Sequence, residues 1–196
     1  NVLLLVGDTT SAMGGSHVLM KGDRGQGTGV SSQESGISAD QSPRTPVRGF
    51  CRNLSIPRVD LKQGPVNAAA VARLIDKQLV ASVHDCSDGG LLVAAAEMAF
   101  AGRIGLDVDL SNVPTREPLT EFEACFAESP SRYLIEVAPE KVDAVIRSLR
   151  ESNVPFGQVG TFADHAKLTV RSGKAGRIME ETLDALREAW LKPLDW

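Results

Sequence analysis

The chain has few thiols, few histidines, no surplus of positive charge and no long apolar run. Lys and Arg number 21 against 25 Asp and Glu, a formal charge of −4, so nucleic acid has no basic footprint to bind. The cysteines, Cys51, Cys86 and Cys125, are widely spaced and form no CxxC pair. That pattern suggests neither a disulfide framework nor a zinc site, and it fits a reducing, cytoplasmic setting. His17, His84 and His165 are scattered, so no metal site is expected from histidine. Val2 to Val6 is far shorter than a bilayer requires, which leaves no membrane span and no signal peptide.

With 42% hydrophobic residues among 196, one sizeable core can form, and residues 1–196 read as a single domain. The chain opens on Asn1 and enters the apolar run Val2 to Val6 at once, as a piece cut from a longer polypeptide would. That run reads as a buried strand, closed by Gly7-Asp8-Thr9-Thr10, with Gly14-Gly15-Ser16 shortly after. Without the lysine and spacing of a Walker sequence, this Gly-rich loop reads as a flexible connection. Residues 22–48, rich in Gly, Ser, Gln, Thr and Pro, cannot bury enough surface to order themselves and read as a flexible insertion.

Pro65 suits the first turn of a helix whose stripe is Val66, Ala70, Val71, Leu74 and Ile75. Leu79 to Val83 reads as a buried strand. Leu91, Leu92, Ala95, Met98 and Ala99 recur at helical spacing, and Ile104, Leu106, Val108 and Leu110 alternate as a half-buried strand. Ser111 to Thr120 is a connection, followed by the apolar patch Phe122, Cys125 and Phe126. Tyr133 to Val137 is a strand and Pro139 to Glu151 a helix. Phe156 to Phe162 and Leu168 to Val170 are strands, and Glu180 to Leu191 is a closing helix that buries Leu183, Leu186 and Trp190. This order predicts an α+β fold: three layers with helices on both faces of a mixed sheet, in a partly ferredoxin-like order.

Between the strand ending near Val83 and the helix starting near Leu91 lies His84 to Leu91, HDCSDGGL. Gly89 and Gly90 permit positive φ and close backbone approach, and Ser87 or Asp88 can cap the helix. Such a helix start can hold an anion. Asp85 and Asp88 would then face a magnesium-bound phosphate, an amine or ribose hydroxyls; as a plain turn they would be cap and hinge residues. Cys86, with no base placed beside it, reads as a small buried hydrophobe. Glu128, Ser129 and Arg132 form a second polar group before the Tyr133 strand, either a solvated turn or a ligand wall.

HDCSDGGL, the continuation LLVAAAEMAFAG, the strand IGLDVDL and FAESPSRYLIEV together resemble the phosphoribosylformylglycinamidine synthase family. LLLVGDT, MGGS and ETLDALREAW fit the same pattern. The match is to the aminoimidazole ribonucleotide synthase-like C-terminal domain of the second half, on the Ser-Asp-Gly-Gly form at Ser87 to Gly90. The resemblance implies a domain of an ATP-dependent ligase, an amidotransferase of purine biosynthesis that converts formylglycinamide ribonucleotide to its amidine. It also implies ATP and Mg2+ in the complete enzyme, partnership with the remaining domains of the synthase, and a glutaminase domain or subunit that delivers ammonia.

Catalytic residues are not assigned by the resemblance. Substrate- or nucleotide-facing candidates are Asp85, Ser87, Asp88, Gly89, Gly90, Glu128, Ser129 and Arg132. The first-half form of the family carries a substrate-contacting Ser-Glu-Ser-Gln where this chain has Ala127-Glu128-Ser129-Pro130, and Pro130 supplies no amide donors. Two roles follow: a wall of a ligand site, or a structural half-domain that stabilises the pseudo-dimer and is inactive alone. A related ATP-dependent enzyme of the same superfamily is the third alternative.

Overall fold

The computed structural model describes residues 1–14, 16, 53–173 and 175–194. The expected insertion at 22–48, Cys51 and His17 lie outside the described residues. The strands are β1 (Val2–Val6), β2 (Ser82–Asp85), β3 (Gly105–Asp109), β4 (Tyr133–Val137), β5 (Phe156–Ala163), β6 (Lys167–Ser172) and β7 (Gly176–Thr182). The α-helices are α1 (Gln63–Asp76), α2 (Gly90–Gly102), α3 (Glu121–Phe126), α4 (Val142–Glu151) and α5 (Leu183–Leu191).

One seven-stranded sheet runs in the order β2-β4-β1-β5-β3-β6-β7. Neighbours pair antiparallel except β3 and β6, which are parallel. β1 is apolar throughout because both its faces are covered. Leu3 and Leu5 join one core with Leu91, Ala95 and Ala99 of α2, Cys125 of α3 and Leu183 of α5. Leu4 and Val6 join the other with Ala70, Val71 and Leu74 of α1 and Val145 and Leu149 of α4. The expected three layers around a mixed sheet are therefore present. The units β1-α1-β2 and β4-α4-β5 supply the partly ferredoxin-like order, with β3, β6 and β7 extending it. No helix among the described residues is long and apolar enough to cross a membrane.

Several boundaries differ from the sequence reading. The strand expected at 79–83 lies at Ser82–Asp85 on the sheet edge, half-buried rather than buried. Gln78, at φ 53°, ends α1 so that Leu79 N–H returns to Leu74 O at 2.9 Å, and Leu79 is consumed by a left-handed helix terminus. The buried face of α1 is Asn67, Ala70, Val71 and Leu74, while Val66 and Ile75 are exposed. The patch at Phe122 to Phe126 is a helix, started by a capping box between Thr120 and Glu123. The residues expected to open the last helix at Glu180 instead complete β7, and Trp190 is 47% exposed rather than buried.

Candidate functional site

The two candidate polar groups, 39 residues apart in sequence, meet in space. Gly89 is the N-cap of α2 at φ 77°, so the cap position falls to a glycine rather than to Ser87 or Asp88. Its N–H donates to Glu128 Oε1 at 2.9 Å, and the next N–H, of Gly90, donates to the Ser87 carbonyl at 3.0 Å. Ser16 Oγ donates to the same Glu128 oxygen at 3.2 Å. The anion that the start of a helix attracts is thus an internal carboxylate.

Gly90 presses on the chain that carries Glu128. It sits at φ 67°, and a Cβ there would lie 2.5 Å from Ala127 O and 2.9 Å from Phe126 C. Gly89 and Gly90 are buried, whereas Ser87 and Asp88 are exposed and the Asp85 side chain is 67% exposed at the end of β2. Cys86, between them, is buried, and burial pushes its thiol up to about 11. Burial likewise pushes Cys125 up to about 12. Both are protonated, weak nucleophiles at neutral pH. Iodoacetamide is expected to leave Cys86 and Cys125 unmodified in the native protein and to alkylate both in urea, as read by peptide mass mapping. Rapid native labelling of Cys86 would refute this assignment.

Ser129 and Arg132 are buried, not solvated. The Arg132 guanidinium donates through Nε to Ser129 O at 3.1 Å, through Nη1 to Thr9 Oγ1 at 3.0 Å and through Nη2 to Ala127 O. Burial lowers its pKa, while Cys86 and Glu128 act in the opposite sense. Arg132 therefore ties the loop after β1 to the segment before β4 from beneath. Ser129 Oγ accepts the Thr10 N–H at 2.9 Å and lies 3.1 Å from Thr10 Oγ1.

Above this tie opens a cleft of about 340 Å³, lined by Asp8, Thr9, Thr10, Arg58, Asp60, Gln63, Gly64, Asn67, Arg116, Glu117, Ser129, Pro130 and Ser131. It lies between the C-terminal end of β1, the first turns of α1 and the Ser129–Ser131 loop. Gly7, at φ 96° with room for no Cβ beside Ser131 O, lets the chain leave β1 against that loop. Asp8 Oδ2 pairs with Arg116 Nε at 2.7 Å, and Glu117 Oε1 accepts Ser11 N–H at 2.7 Å. Asp60 Oδ1 accepts the N–H groups of Gln63 and Lys62 at 2.9 Å each, which hold its carboxyl below the usual range. Asn67 Nδ2 donates to Ser131 O at 3.1 Å and Asn67 Oδ1 accepts from Gln63 Nε2 at 2.9 Å.

Of the sequence candidates, Ser129 lines this cleft. Glu128, Gly89 and Gly90 form the interlock behind it, Arg132 lies below it, and Asp85, Ser87 and Asp88 are on the exposed turn. The loop after β1, expected to be a flexible connection, is instead built in: Thr9 and Ser11 are buried, and Thr9 N–H donates to Pro114 O at 2.7 Å. Its signal was the hydroxyl-rich run Asp8-Thr9-Thr10-Ser11 directly after a fully apolar strand.

The AIR synthase related protein, C-terminal domain, matches residues 1–173. The phosphoribosylformylglycinamidine synthase subunit PurL of Thermoanaerobacter pseudethanolicus is 36% identical over 141 residues, covering 71% of this chain and 18% of that protein. The subunit of Alkaliphilus metalliredigens is 30% identical over 190 residues, covering 97% of this chain and 21% of that protein. The chain thus spans about a fifth of the length of the curated relatives it matches. Among solved structures, Thermotoga maritima PurL complexed with FGAR overlays with a TM-score of 0.71 at 21% identity, over 94% of this chain and 27% of that one. The hydrogenase maturation protein HypE overlays with a TM-score of 0.53 at 14% identity, over 93% of this chain and 51% of that one. At such identities the overlays speak for the fold alone. The family match over residues 1–173 bears out the resemblance read from HDCSDGGL and FAESPSRYLIEV: the chain belongs to the AIR synthase related protein C-terminal domain family.

Proposed function

We propose that this chain is the second-half C-terminal domain of a phosphoribosylformylglycinamidine synthase. It would serve the ATP-dependent ligation that converts formylglycinamide ribonucleotide to its amidine, in a reducing cytoplasmic setting. The 36% identity to a PurL subunit over 71% of the chain is the observation that carries this reading. Within the enzyme, the domain acts chiefly as scaffold. It supplies one wall of a ligand site through Thr10, Ser129 and the cleft they line, and the chain alone has no turnover.

The donor set supports that division of labour. In the cleft, Asp8 is engaged by Arg116, Asp60 by two backbone N–H groups and Glu117 by Ser11 N–H. No group of three or more His, Cys, Asp or Glu that could hold a metal ion occurs among the described residues. In this reading Mg2+ and the ATP phosphates are held by the remaining domains of the synthase, and ammonia comes from a glutaminase domain or subunit.

The test is product analysis of the complete synthase with formylglycinamide ribonucleotide, ATP and glutamine or ammonia. Asp85→Ala, on the exposed turn, is expected to keep kcat/KM within about threefold of the parent, whereas Thr10→Val with Ser129→Ala should lower it by roughly tenfold or more. Absence of amidine product from the parent enzyme would refute the ligase reading. Full activity of the double variant would refute the wall.

A further inference from the structure

On the opposite face of the sheet from α1, a second groove of about 480 Å³ runs beside the edge strand β2. Its floor is apolar: Met98, Phe100, Ile104, Phe162 and Trp190. Ile104 is 38% exposed and Trp190 47%, values high for residues of their size. Trp190 is nevertheless fixed in place. Its ring lies 5.8 Å from that of Phe100, tilted by 51°, and its Nε1 donates to Glu97 Oε1 at 3.0 Å. A half-exposed tryptophan whose one polar group is already satisfied presents an apolar face with little rotational freedom left to lose. Such residues anchor protein interfaces.

The polar rim is acidic. Glu97 Oε2 lies 3.2 Å from His84 Nε2, and Glu136 accepts from Ser82 Oγ at 2.6 Å and from Asn1 Nδ2. Asp85 stands exposed at the end of β2. Each carboxylate has about four lone-pair sites, so both glutamates can accept a further donor without giving up a present one. β2 is also terminal in the sheet and pairs only with β4 among the described residues, so its outer edge can take up another strand.

We infer that the β2 edge and its Trp190 groove are a docking site for an extended segment of a partner polypeptide, one that alternates apolar residues with Lys or Arg. The segment adds to β2 through its main chain. Its apolar side chains settle on Trp190, which Glu97 links to His84 of β2, and its cations meet Glu97 and Glu136. This is strand addition with side-chain pockets supplying the selectivity, and charge complementarity sets the preferred partner.

Fluorescence anisotropy of the protein with a short labelled peptide alternating leucine and lysine tests this. Its leucine–glutamate counterpart and a leucine–lysine version N-methylated at alternate amides are the comparisons. The lysine peptide is expected to saturate, and to bind at least about tenfold more tightly than either comparison. Trp190→Ala, at an exposed position, should weaken it by about tenfold or more, and Glu97→Gln with Glu136→Gln should remove the preference for lysine over glutamate. An unchanged circular dichroism spectrum in each variant keeps folding out of the comparison. The proposal is overturned by no saturable binding of the lysine peptide, by equal binding of the lysine and glutamate peptides, or by lysine-peptide binding that Trp190→Ala leaves intact. Reversible self-association that Trp190→Ala abolishes would also overturn it, by assigning the groove to a second copy of the chain.

Discussion

Replacing Arg132 by methionine is expected to destabilise the protein by about 3–5 kcal/mol, the range for breaking a buried polar network. Arg132 is 1% exposed, and its guanidinium donates to three acceptors on two segments: Thr9 Oγ1, Ala127 O and Ser129 O. Methionine matches much of its volume, so the packing loss is small. The loss comes from two backbone carbonyls and a hydroxyl left without donors in a site that water does not reach, each costing about 1–3 kcal/mol. Arg132→Lys should recover only part of this, because a single ammonium cannot reproduce a planar fork that spans three acceptors. With stabilities of about 5–15 kcal/mol typical of domains, the methionine variant should show a urea midpoint far below the parent and the lysine variant an intermediate one. A methionine variant within about 1 kcal/mol of the parent would mean that the network is replaceable.

Arg132 also shows where the sequence stops being readable. A charged residue in Glu-Ser-Pro-Ser-Arg looks like part of a surface turn, and nothing local reveals that Thr9, 123 residues away, folds over it. Local signals did better where periodicity and burial coincide. β4 falls at Tyr133–Val137 as read, and β3 and α2 follow their apolar positions. β7 escaped because an exposed edge strand, Gly176–Thr182, needs no apolar alternation. Helix α3 escaped although Thr120 and Glu123 spell a capping box, since six residues give too short a stripe to see.

The site follows the same division. HDCSDGGL stood out because two adjacent glycines with two aspartates and a serine at a strand-to-helix junction form a local pattern. Its closure by Glu128 is a long-range contact. The cleft draws on four segments, and two of them meet because β1 lies beside β4, a pairing that sheet order alone decides. A ligand role for the turn and a scaffold role share the same letters. The difference is whether the helix N–H groups look outward or are already engaged.

The glycine pair separates those possibilities by the size of the effect. Gly90→Ala is expected to cost about 3–4 kcal/mol, well above the roughly 1–2 kcal/mol that a left-handed residue alone adds. The excess arises because the new Cβ would meet Ala127 O at 2.5 Å and Cys125 O at 3.0 Å, backbone atoms fixed by α3 that cannot turn aside. Gly89→Ala carries a similar φ of 77°, but its obstacles, Val93 Cγ2 at 2.3 Å and Val93 Cβ at 2.8 Å, belong to one half-buried side chain of the helix's own first turn, which can shift without disturbing the α3 backbone. Gly102→Ala, at the end of α2 with only Ile104 Cγ2 at 3.3 Å, should fall within about 0.5 kcal/mol of the parent. Urea unfolding should therefore rank the losses Gly90 above Gly89 above Gly102. Equal losses at Gly89 and Gly90 would show that backbone angle alone sets the requirement for glycine. The expected order would mean that Gly90 is glycine so that α2 can dock on the Cys125–Ala127 backbone, placing Glu128 against Gly89 N–H. In that case the most recognisable motif of the chain owes its form first to packing.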